Sequence, residues 1–557
     1  MKNYKRTSIT RHFALPLWMP AVIVLSCLMS LVPYTTWAQN AEPSERLERL
    51  LMPGTSTVYY FNYPSVNSAG ERIVLSSALI AWTPDDRQEG DSIESVHIYS
   101  HATIGSDEER PTSTGFSKEQ IVLQTMPRRD YVGYEDNVEA NYVGRCIIIA
   151  PDYEGYGLTK DLPHPYLSQR LTARQVLDAA QYGLELYRKQ SAEKTADNPL
   201  LPLKEDYRMF GLGFSQGGAV TIAVQRLIEE EGLSEQLHFY GSICGDGPYD
   251  LVQTLRYYSE DDGTSYGVET DHRKNMCTYP IVIPLIIKGM CTTHPAMAKY
   301  RIEDFLSQQL IDTDVLSWID SKEYTTADMA RMWHDQLKSG LTKSDRYYSP
   351  EQMAELFAPV DDKVAGHLEK MFTPATFAYL SNADSMAVVP TNPTSPQQAL
   401  HLAIAENSVC KGWEPKHRIQ FYHSRGDMVV PFGNYLAFRD AHAASENIMY
   451  RVNDTYTDVD HMTAAIIFFL EMFSTCSFAE HYNWISETVV PTGIRENIMA
   501  DNQRPNQDGD KWYTLDGRRL SSRPTTSGVY IHNQRKVVVN RANLHLCQEA
   551  YRHNNPR

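Results

Sequence analysis

Apolar and polar positions in the first 250 residues alternate between two patterns. Segment 171–190 repeats apolar residues three or four positions apart, which is typical of an amphipathic helix. Short apolar runs of the kind that form buried strands and run into loops precede and follow it, at 95–105, 145–157, 207–214 and 237–249. Because short strands alternate with helices in βαβ units, the pattern predicts an α/β protein with a mostly parallel sheet.

Two local signals add detail to this pattern. Residues 55–84 contain two runs rich in β-forming residues, and the turn sequence SAG at 68–70 between them predicts a β-hairpin. Thr172 and Gln175 have the spacing of a capping box. This spacing predicts that Thr172 caps the start of the amphipathic helix.

The alternation of strand-like and helical segments stops after residue 250 and resumes near residue 415. Residues 251–405 are helical in pattern and rich in methionine and tyrosine. Strand-like runs return at 417–431 and 447–454, and a strongly apolar helix follows at 460–473. We therefore expect a helical insertion between two late strands of one sheet, packed as a cap above the carboxyl ends of the strands.

Shifts in composition divide the chain into six predicted segments. They are a signal peptide (1–38), a first core part (39–250), a helical cap or lid (251–405), a second core part (406–492), a polar linker (493–510) and a C-terminal β module with its tail (511–557). The last segment holds two or three short strand-like runs separated by turn signals, which predicts a small β-sheet of its own.

The N-terminal segment has the three parts of a secretory signal peptide. Residues 1–13 are basic, residues 14–32 are apolar, and Ala38 is a small residue suited to cleavage. The apolar part is just long enough to span a bilayer, so an uncleaved anchor and a lipid anchor at Cys27 are the alternatives. Export would place the mature chain in an oxidising compartment.

Composition excludes some classes of function. The chain has 557 residues, 42% of them hydrophobic, and a formal net charge of −17 at pH 7. Nucleic acid binding requires a basic surface, so we expect no nucleic-acid partner. The sequence has no C-x-x-C spacing and no cluster of metal-ligating residues, so we expect neither a metal nor a cofactor. Among the cysteines after the signal segment, Cys277 and Cys291 are candidates for a local disulfide.

The sequence GLGFSQGGAV at 211–220 contains the strongest candidate for chemistry. Ser215 lies between Gly213 and Gly217, directly after a strand-like run and before a helical pattern. One interpretation is a glycine-rich turn without special chemistry. The other is a nucleophile elbow, in which a strained serine needs small neighbours and the following helix directs its positive dipole end at the reacting group.

A serine nucleophile needs a base, and the base needs an orienting carboxylate. On a sheet with a nucleophile elbow, the chain order is serine, acid, histidine. Asp427 follows a strand-like run and His461 directly precedes an apolar helix, so we expect Ser215, Asp427 and His461 to form a catalytic triad. The competing candidates are Asp458 and Asp460 for the acid, and His423 and His481 for the base.

A tetrahedral oxyanion needs backbone N–H donors. The amide of Gln216, directly after the serine, is one expected donor. We expect the second donor in the loop SHATIG at 100–105, at Thr103. The alternative is that this loop is only a turn closed by Gly105.

Together these motifs resemble the secretory lipase family of α/β-hydrolases. The resemblance covers residues 55–250 and 415–475, and its most specific part is PDYEGYG followed by HPYL. It implies an α/β-hydrolase fold with a helical lid inserted before the acid, and the nucleophile, acid and base roles for the three triad residues named above. Ala102 stands where the family usually has glycine in the oxyanion loop.

The PDYEGYG…HPYL segment also contains titratable residues, Asp152, Glu154 and His164. They lie outside the expected triad. We expect them to shape the wall of a pocket or to tie the loop together by hydrogen bonds.

The sequence therefore predicts an exported serine hydrolase that cleaves carboxylic esters of small or lipid-like molecules. Two alternatives remain open, namely an exported serine peptidase of the same fold and a catalytically inactive surface binding protein. The C-terminal sequence WYTLDGRRL…GVYIHNQRKVVV resembles modules common on exported proteins of Bacteroidetes-type bacteria, some of which are sorting signals. Association with the cell envelope is thus a further expectation.

Overall fold

The computed structural model describes most of the chain between residue 41 and residue 473, together with short C-terminal strands. The described residues are 41–50, 56–84, 87–114, 145–195, 198–335, 366–451, 458–473, 485, 512–514, 519–520, 528–532 and 535–539. The predicted signal peptide, the linker at 493–510 and the C-terminal tail lie outside them, as does His481. The domain boundaries proposed from composition therefore stay predictions.

The centre of the molecule is a nine-stranded sheet. Its strands are β1 (Glu48–Leu50), β2 (Ser56–Val66), β3 (Arg72–Trp82), β4 (Ile93–Ser100), β5 (Cys146–Pro151), β6 (Leu203–Phe214), β7 (Phe239–Gly245), β8 (Arg418–Tyr422) and β9 (Ile448–Arg451). The strand order is β1-β2-β3-β5-β4-β6-β7-β8-β9. The pairs from β5 to β9 are parallel, and β1, β2 and β3 add antiparallel neighbours at one side. The mostly parallel sheet predicted from the sequence is confirmed.

The predicted hairpin is formed by β2 and β3, with Val66 opposite Arg72. Its turn is held by Asn67, whose side-chain oxygen accepts hydrogen bonds from the backbone N–H groups of Ala69 and Glu71. An asparagine that bonds the backbone two residues ahead is a common turn-forming device. The hairpin predicted from the sequence is confirmed.

Helices pack on both faces of the sheet. Their bounds are α1 (Gln169–Ser191), α2 (Gln216–Glu230), α3 (Leu251–Glu260), α4 (Val282–Thr293), α5 (Gln308–Ile311), α6 (Val315–Ser321), α7 (Thr326–Asp335), α8 (Leu368–Met371), α9 (Pro374–Leu380), α10 (Ala383–Ala387), α11 (Pro396–Glu406), α12 (Gly433–Ala441) and α13 (His461–Phe473). Short 3₁₀ turns occur at Asp107–Glu109, Gly157–Thr159, Ser265–Gly267, Pro295–Met297 and Ile302–Asp304. No described helix has both the length and the apolar character needed to cross a bilayer.

Alternation along the strands builds two separate cores. In β5, Ile147 and Ile149 join a cluster that includes residues of α1, α2 and α12, while Ile148 joins the cluster on the other face. That second cluster contains Ala464 and Phe468 of α13. Because successive side chains of a strand point to opposite faces, a continuous apolar strand needs a layer of helices on each side.

The predicted capping box at the start of α1 is wrong. The helix begins at Gln169, and its N-cap residue is Ser168, whose side chain makes no capping bond. The Thr172 hydroxyl donates back to the Ser168 carbonyl, while the Gln175 side-chain amide donates to Glu154 Oε2. The Gln175 side chain, which the local pattern assigned to the capping box, thus binds a residue outside the helix.

The helices α3 to α11 lie between β7 and β8 in the chain, and we call residues 251–406 the helical insertion. They have an apolar core of their own, which includes Leu255, Ile286, Trp318 and Leu400. The apolar run at 280–290 forms α4, and its buried residues pack in this core.

The C-terminal residues from Thr488 onward form a second compact unit. Its four strands are β10 (Trp512–Thr514), β11 (Arg519–Leu520), β12 (Gly528–His532) and β13 (Arg535–Val539). They form an antiparallel sheet in the order β11-β10-β12-β13. The small β module is confirmed, with four short strands where the sequence predicted two or three.

Candidate active site

Ser215 lies in the sharp turn between β6 and α2. Its backbone angles are φ 58° and ψ −128°, a left-handed conformation that a residue with a side chain adopts only at an energetic cost. The Ser215 N–H donates to the carbonyl of Gly245 at the end of the neighbouring strand β7, at 2.9 Å. The serine therefore has the strained backbone expected of a nucleophile elbow.

The two glycines of the motif are required by close backbone packing. A Cβ placed on Gly213 would lie 2.3 Å from the carbonyl oxygen of Gly217. A Cβ on Gly217 would lie 2.0 Å from the carbonyl oxygen of Ser100 and 2.8 Å from that of His101. The loop after β4 thus passes directly over the first turn of α2.

His461 bridges Ser215 and Asp427. His461 Nε2 lies 2.9 Å from Ser215 Oγ, and His461 Nδ1 lies 2.5 Å from Asp427 Oδ2. Since an ionised carboxylate only accepts, Nδ1 carries the proton and Nε2 is free to accept the serine hydroxyl proton. All three side chains are buried, with Ser215 8% exposed. The structure brings together the three residues that the sequence grouped from positions far apart in the chain.

Asp427 is held in the loop after β8. Its other carboxylate oxygen, Oδ1, accepts hydrogen bonds from the backbone N–H groups of Val429 and Val430, both at 2.8 Å. His461 is the first residue of α13, and its ring lies 5.1 Å from the ring of Phe214, centroid to centroid. Both partners of the serine are thereby fixed by contacts outside the triad.

The protonation of His461 depends on opposing influences. Burial on its own lowers the pKa of His461. The charge of Asp427 and its hydrogen bond, with smaller contributions from Asp246 and Asp460, outweigh burial and raise the pKa above its usual value. An imidazole with a raised pKa is a stronger base for the serine proton.

The competing candidates lie elsewhere. Asp458 pairs with Arg425 at 2.8 Å, and Asp460 accepts from the backbone N–H groups at the start of α13. His423 is buried, and its Nε2 donates to the carbonyl of Val430 at 2.8 Å. Neither aspartate bonds to His461, and His423 does not bond to Ser215. His481 is outside the described residues.

Asp246 is a buried carboxylate that sequence reasoning missed. It follows β7 directly and has a positive φ of 40°. Its Oδ2 accepts from the backbone N–H of Ser424 at 3.1 Å. The signal in the sequence is its position directly after the strand-like run that follows the serine helix, and β7 pairs in parallel with the serine strand β6.

Asp246, Asp427 and His461 are also, among the described residues, a group whose ligand-type atoms all lie within 4.8 Å of one another. Such a group has the donor atoms for a metal ion. Both ring nitrogens of His461 have hydrogen-bond partners within the site. The arrangement therefore fits a hydrogen-bonded chain from serine to carboxylate.

One expected oxyanion donor, Gln216, directly follows the serine, and the other, Thr103, lies in the loop after β4. Gln216 is the first residue of α2, so its N–H has no intrahelical acceptor. Thr103 lies in the loop after β4, and its hydroxyl lies 2.9 Å from the hydroxyl of Tyr166. A Cβ on Gly105 would lie 2.6 Å from the carbonyl of Tyr324 in the helical insertion, which explains the glycine that ends this loop.

Cys277 and Cys291 of the helical insertion are free thiols. Cys277 is buried and Cys291 is partly buried, and the disulfide between them that the sequence allowed is not formed. Burial raises the pKa of Cys277 to about 12.

Comparison with known proteins adds a finding about the fold. No family model matches the chain, and no curated protein matches it in sequence. Among solved structures, a mutant of the rice cell wall degrading esterase LipA from Xanthomonas oryzae superposes with a TM-score of 0.50 at 18% identity, over 81% of this chain and 92% of that one. A protein from Legionella pneumophila gives a TM-score of 0.50 at 14% identity, over 78% and 91%. The chain has the α/β-hydrolase fold.

Proposed function

We propose that the protein is a serine hydrolase that cleaves carboxylic esters. The observation that carries this proposal is the continuous hydrogen-bond chain from Ser215 Oγ through His461 to Asp427, with the serine on a strained turn before a helix. A fold alone does not define a reaction, but this set of groups has the chemistry for acyl transfer.

In the acylation step, Ser215 Oγ attacks the ester carbonyl carbon and His461 Nε2 takes the hydroxyl proton. The carbonyl oxygen becomes an oxyanion, which the backbone N–H groups of Gln216 and Thr103 stabilise. Asp427 holds the imidazole orientation and stabilises its positive charge. When the tetrahedral intermediate collapses, the C–O bond to the alcohol breaks and the alcohol leaves with the proton from His461.

In the deacylation step, water repeats the attack on the acyl-enzyme. His461 Nε2 takes a proton from the water as its oxygen bonds to the acyl carbon. Collapse then breaks the bond to Ser215 Oγ, and the proton returns to that oxygen. The products are a carboxylic acid and the regenerated serine.

The helical insertion is proposed to act as the cap that encloses the substrate. Tyr258 of α3 donates through its hydroxyl to the carbonyl of Val429, beside Asp427. On the other side, Tyr324 and Thr326 lie against Gly105 in the oxyanion loop. Contacts of the insertion beside Asp427 and at Gly105, together with a buried serine, support a cap over an acyl pocket of esters or lipid-like molecules. The structural neighbour LipA is named as an esterase, which agrees with this substrate class.

We also propose, from residues 1–38 alone, that the protein is exported after cleavage near Ala38. N-terminal sequencing of protein recovered from outside the cytoplasm tests this. A mature chain that begins close to residue 39 is expected, whereas a chain that keeps Met1 contradicts cleavage.

Ester turnover tests the proposed function. Wild-type protein should hydrolyse p-nitrophenyl esters of short acyl chains, and Ser215→Ala should lower kcat by several orders of magnitude. Ser191→Ala removes a hydroxyl at the end of α1 that donates to the carbonyl of Arg188, and should leave turnover unchanged. Equal rates for wild type and Ser215→Ala would reject the assignment. A higher kcat/KM for peptide anilides than for esters would favour the peptidase alternative.

A further inference from the structure

The segment from Asp152 to Leu167, which we call the 152–167 loop, has no role in the proposed triad although it is rich in polar and aromatic residues. It joins the end of β5 to the start of α1. Its side chains contact the loop after β4, which contains Thr103, one of the two proposed oxyanion donors. Tyr153 stacks on His101 at 3.8 Å between ring centroids, and the Tyr156 hydroxyl donates to the carbonyl of Ile104 at 2.7 Å.

The third contact of this kind reaches the proposed oxyanion donor itself. The Tyr166 hydroxyl lies 2.9 Å from Thr103 Oγ1, and both groups are buried. A buried hydroxyl pair of this length is a direct hydrogen bond, so it restricts the position of Thr103. The backbone of Thr103, which would donate to the oxyanion, is thereby tied to the 152–167 loop.

The same loop also holds the second proposed donor. His164 Nδ1 lies 2.7 Å from the carbonyl oxygen of Glu154, and His164 Nε2 lies 3.2 Å from Gln216 Nε2. A carbonyl oxygen only accepts, so Nδ1 carries the proton and Nε2 accepts from the Gln216 amide. Burial lowers the pKa of His164 to about 3, so the ring stays neutral in this tautomer near neutral pH.

We propose that His164 and Tyr166 are positioning residues that fix the two oxyanion donors, Gln216 and Thr103, relative to each other. This inference rests on the proposed function. The two side chains are separated by one proline and by a tight turn, in which the Tyr166 N–H donates to the His164 carbonyl at 2.8 Å. One short rigid segment therefore sets the spacing of two N–H groups that come from different parts of the chain.

The 152–167 loop is itself anchored, as such a role requires. Asp152 is fully buried, and its carboxylate accepts from the Ser76 hydroxyl at 2.5 Å and from the Thr112 N–H at 2.9 Å. Near the other end, a Cβ on Gly289 of the helical insertion would lie 2.2 Å from the Tyr166 carbonyl oxygen. The loop is thus held by the sheet at its start and by the insertion at its end.

The physical consequence concerns the transition state. Donors stabilise a developing oxyanion only when they already point at its position, and removing one donor typically costs about 100- to 1,000-fold in kcat. Loss of a positioning contact displaces a donor without deleting it, so we expect an effect of about tenfold. Binding of the ground-state ester should change little, because its carbonyl carries less charge.

The first test compares Tyr166→Phe with Tyr187→Phe. Both remove one hydroxyl from a buried tyrosine, but the Tyr187 hydroxyl donates to the carbonyl of Leu201, which precedes β6 at the end opposite the serine. Tyr166→Phe should lower kcat of a p-nitrophenyl ester about tenfold with KM unchanged, and Tyr187→Phe should leave both within twofold. A boronic acid inhibitor, whose tetrahedral adduct places an oxygen in the oxyanion site, should lose affinity in parallel with kcat only in Tyr166→Phe.

The second test compares two replacements of His164. His164→Gln keeps an acceptor near the position of Nε2, and His164→Asn keeps a donor near Nδ1 but cannot reach Gln216. We expect His164→Gln to retain boronate affinity and kcat several-fold better than His164→Asn. If the histidine variants fail to fold, the tyrosine pair decides alone.

The outcomes separate this inference from the proposed function. An active wild type whose Tyr166→Phe variant keeps its boronate affinity and kcat, or changes only KM and acyl-chain preference, overturns the positioning role and assigns the loop to the pocket wall. A wild type with no esterase activity overturns the proposed function, and the inference with it.

Discussion

His461 Nδ1 lies 2.5 Å from Asp427 Oδ2, while Nε2 of the same ring lies 2.9 Å from Ser215 Oγ. The imidazole is therefore oriented by the carboxylate so that its unprotonated nitrogen meets the serine. The two carboxylate oxygens of Asp427 have different partners. Oδ2 binds the imidazole, and Oδ1 accepts hydrogen bonds from the backbone N–H groups of Val429 and Val430 in the same loop. The hydrogen bonds to Oδ1 therefore hold the Asp427 carboxylate in position for His461.

The first prediction concerns the acid. Asp427→Asn should lower kcat/KM by about 10⁴-fold, because an amide at this position favours the wrong imidazole tautomer and does not stabilise the imidazolium. Asp458→Asn is the matched control, since Asp458 is exposed and pairs with Arg425. Steady-state kinetics on a p-nitrophenyl ester measures both. A larger loss of kcat/KM in Asp458→Asn than in Asp427→Asn would identify Asp458 as the acid.

The second prediction concerns pH dependence. The neutral form of His461 is the base, and its pKa is raised, so activity should fall as pH drops through a value above the ordinary histidine pKa of about 6.5. Asp246 contributes to this raised pKa. Asp246→Asn should therefore shift the acid limb of the kcat/KM profile to lower pH. A profile that stays in place, or moves to higher pH, would contradict the electrostatic role of Asp246.

The third prediction concerns the elbow. Gly217→Ala places a Cβ 2.0 Å from the Ser100 carbonyl, so backbone must move, and we expect a loss of more than about 2 kcal/mol in the free energy of unfolding together with lower kcat. Gly232→Ala is the comparison, because Gly232 has open space around it and only a positive φ of 70°. Its expected cost is about 1 kcal/mol with kcat unchanged. Urea unfolding and ester kinetics measure these differences, and equal effects in the two variants would refute the packing argument.

The fourth prediction concerns the thiols. Cys277 and Cys291 should both be alkylated after denaturation without a reductant, because neither forms a disulfide. In the native protein Cys277 should react slowly, since burial raises its pKa to about 12 and limits access. Mass spectrometry of alkylated peptides checks both points. A Cys277–Cys291 linked peptide would contradict the structure.

The sequence was most informative where local constraints act. Gly213, Ser215 and Gly217 are adjacent to a strand and a helix in the chain, so their geometry follows from a short segment. The order of strands likewise predicted that Asp427 would follow β8. The assignment of catalytic roles to these residues, and of donor roles to Gln216 and Thr103, remains a prediction.

Contacts between distant segments could not be predicted in the same way. The spacing of Thr172 and Gln175 predicts a capping box, but the Gln175 side chain binds Glu154 in a loop that is 21 positions away. The Thr103–Tyr166 pair spans 63 positions, and no periodic pattern relates two such residues. Asp246 was missed because its proximity to His461 arises only when β7 and β8 pair.

Covalent labelling tests the central claim most directly. Wild-type protein is treated with a fluorophosphonate probe, and the adduct is located by peptide mass spectrometry. We predict a single adduct on Ser215, formed more slowly in Asp427→Asn and absent in Ser215→Ala. An unlabelled wild type, or an adduct that persists in Ser215→Ala on another serine, would contradict the account.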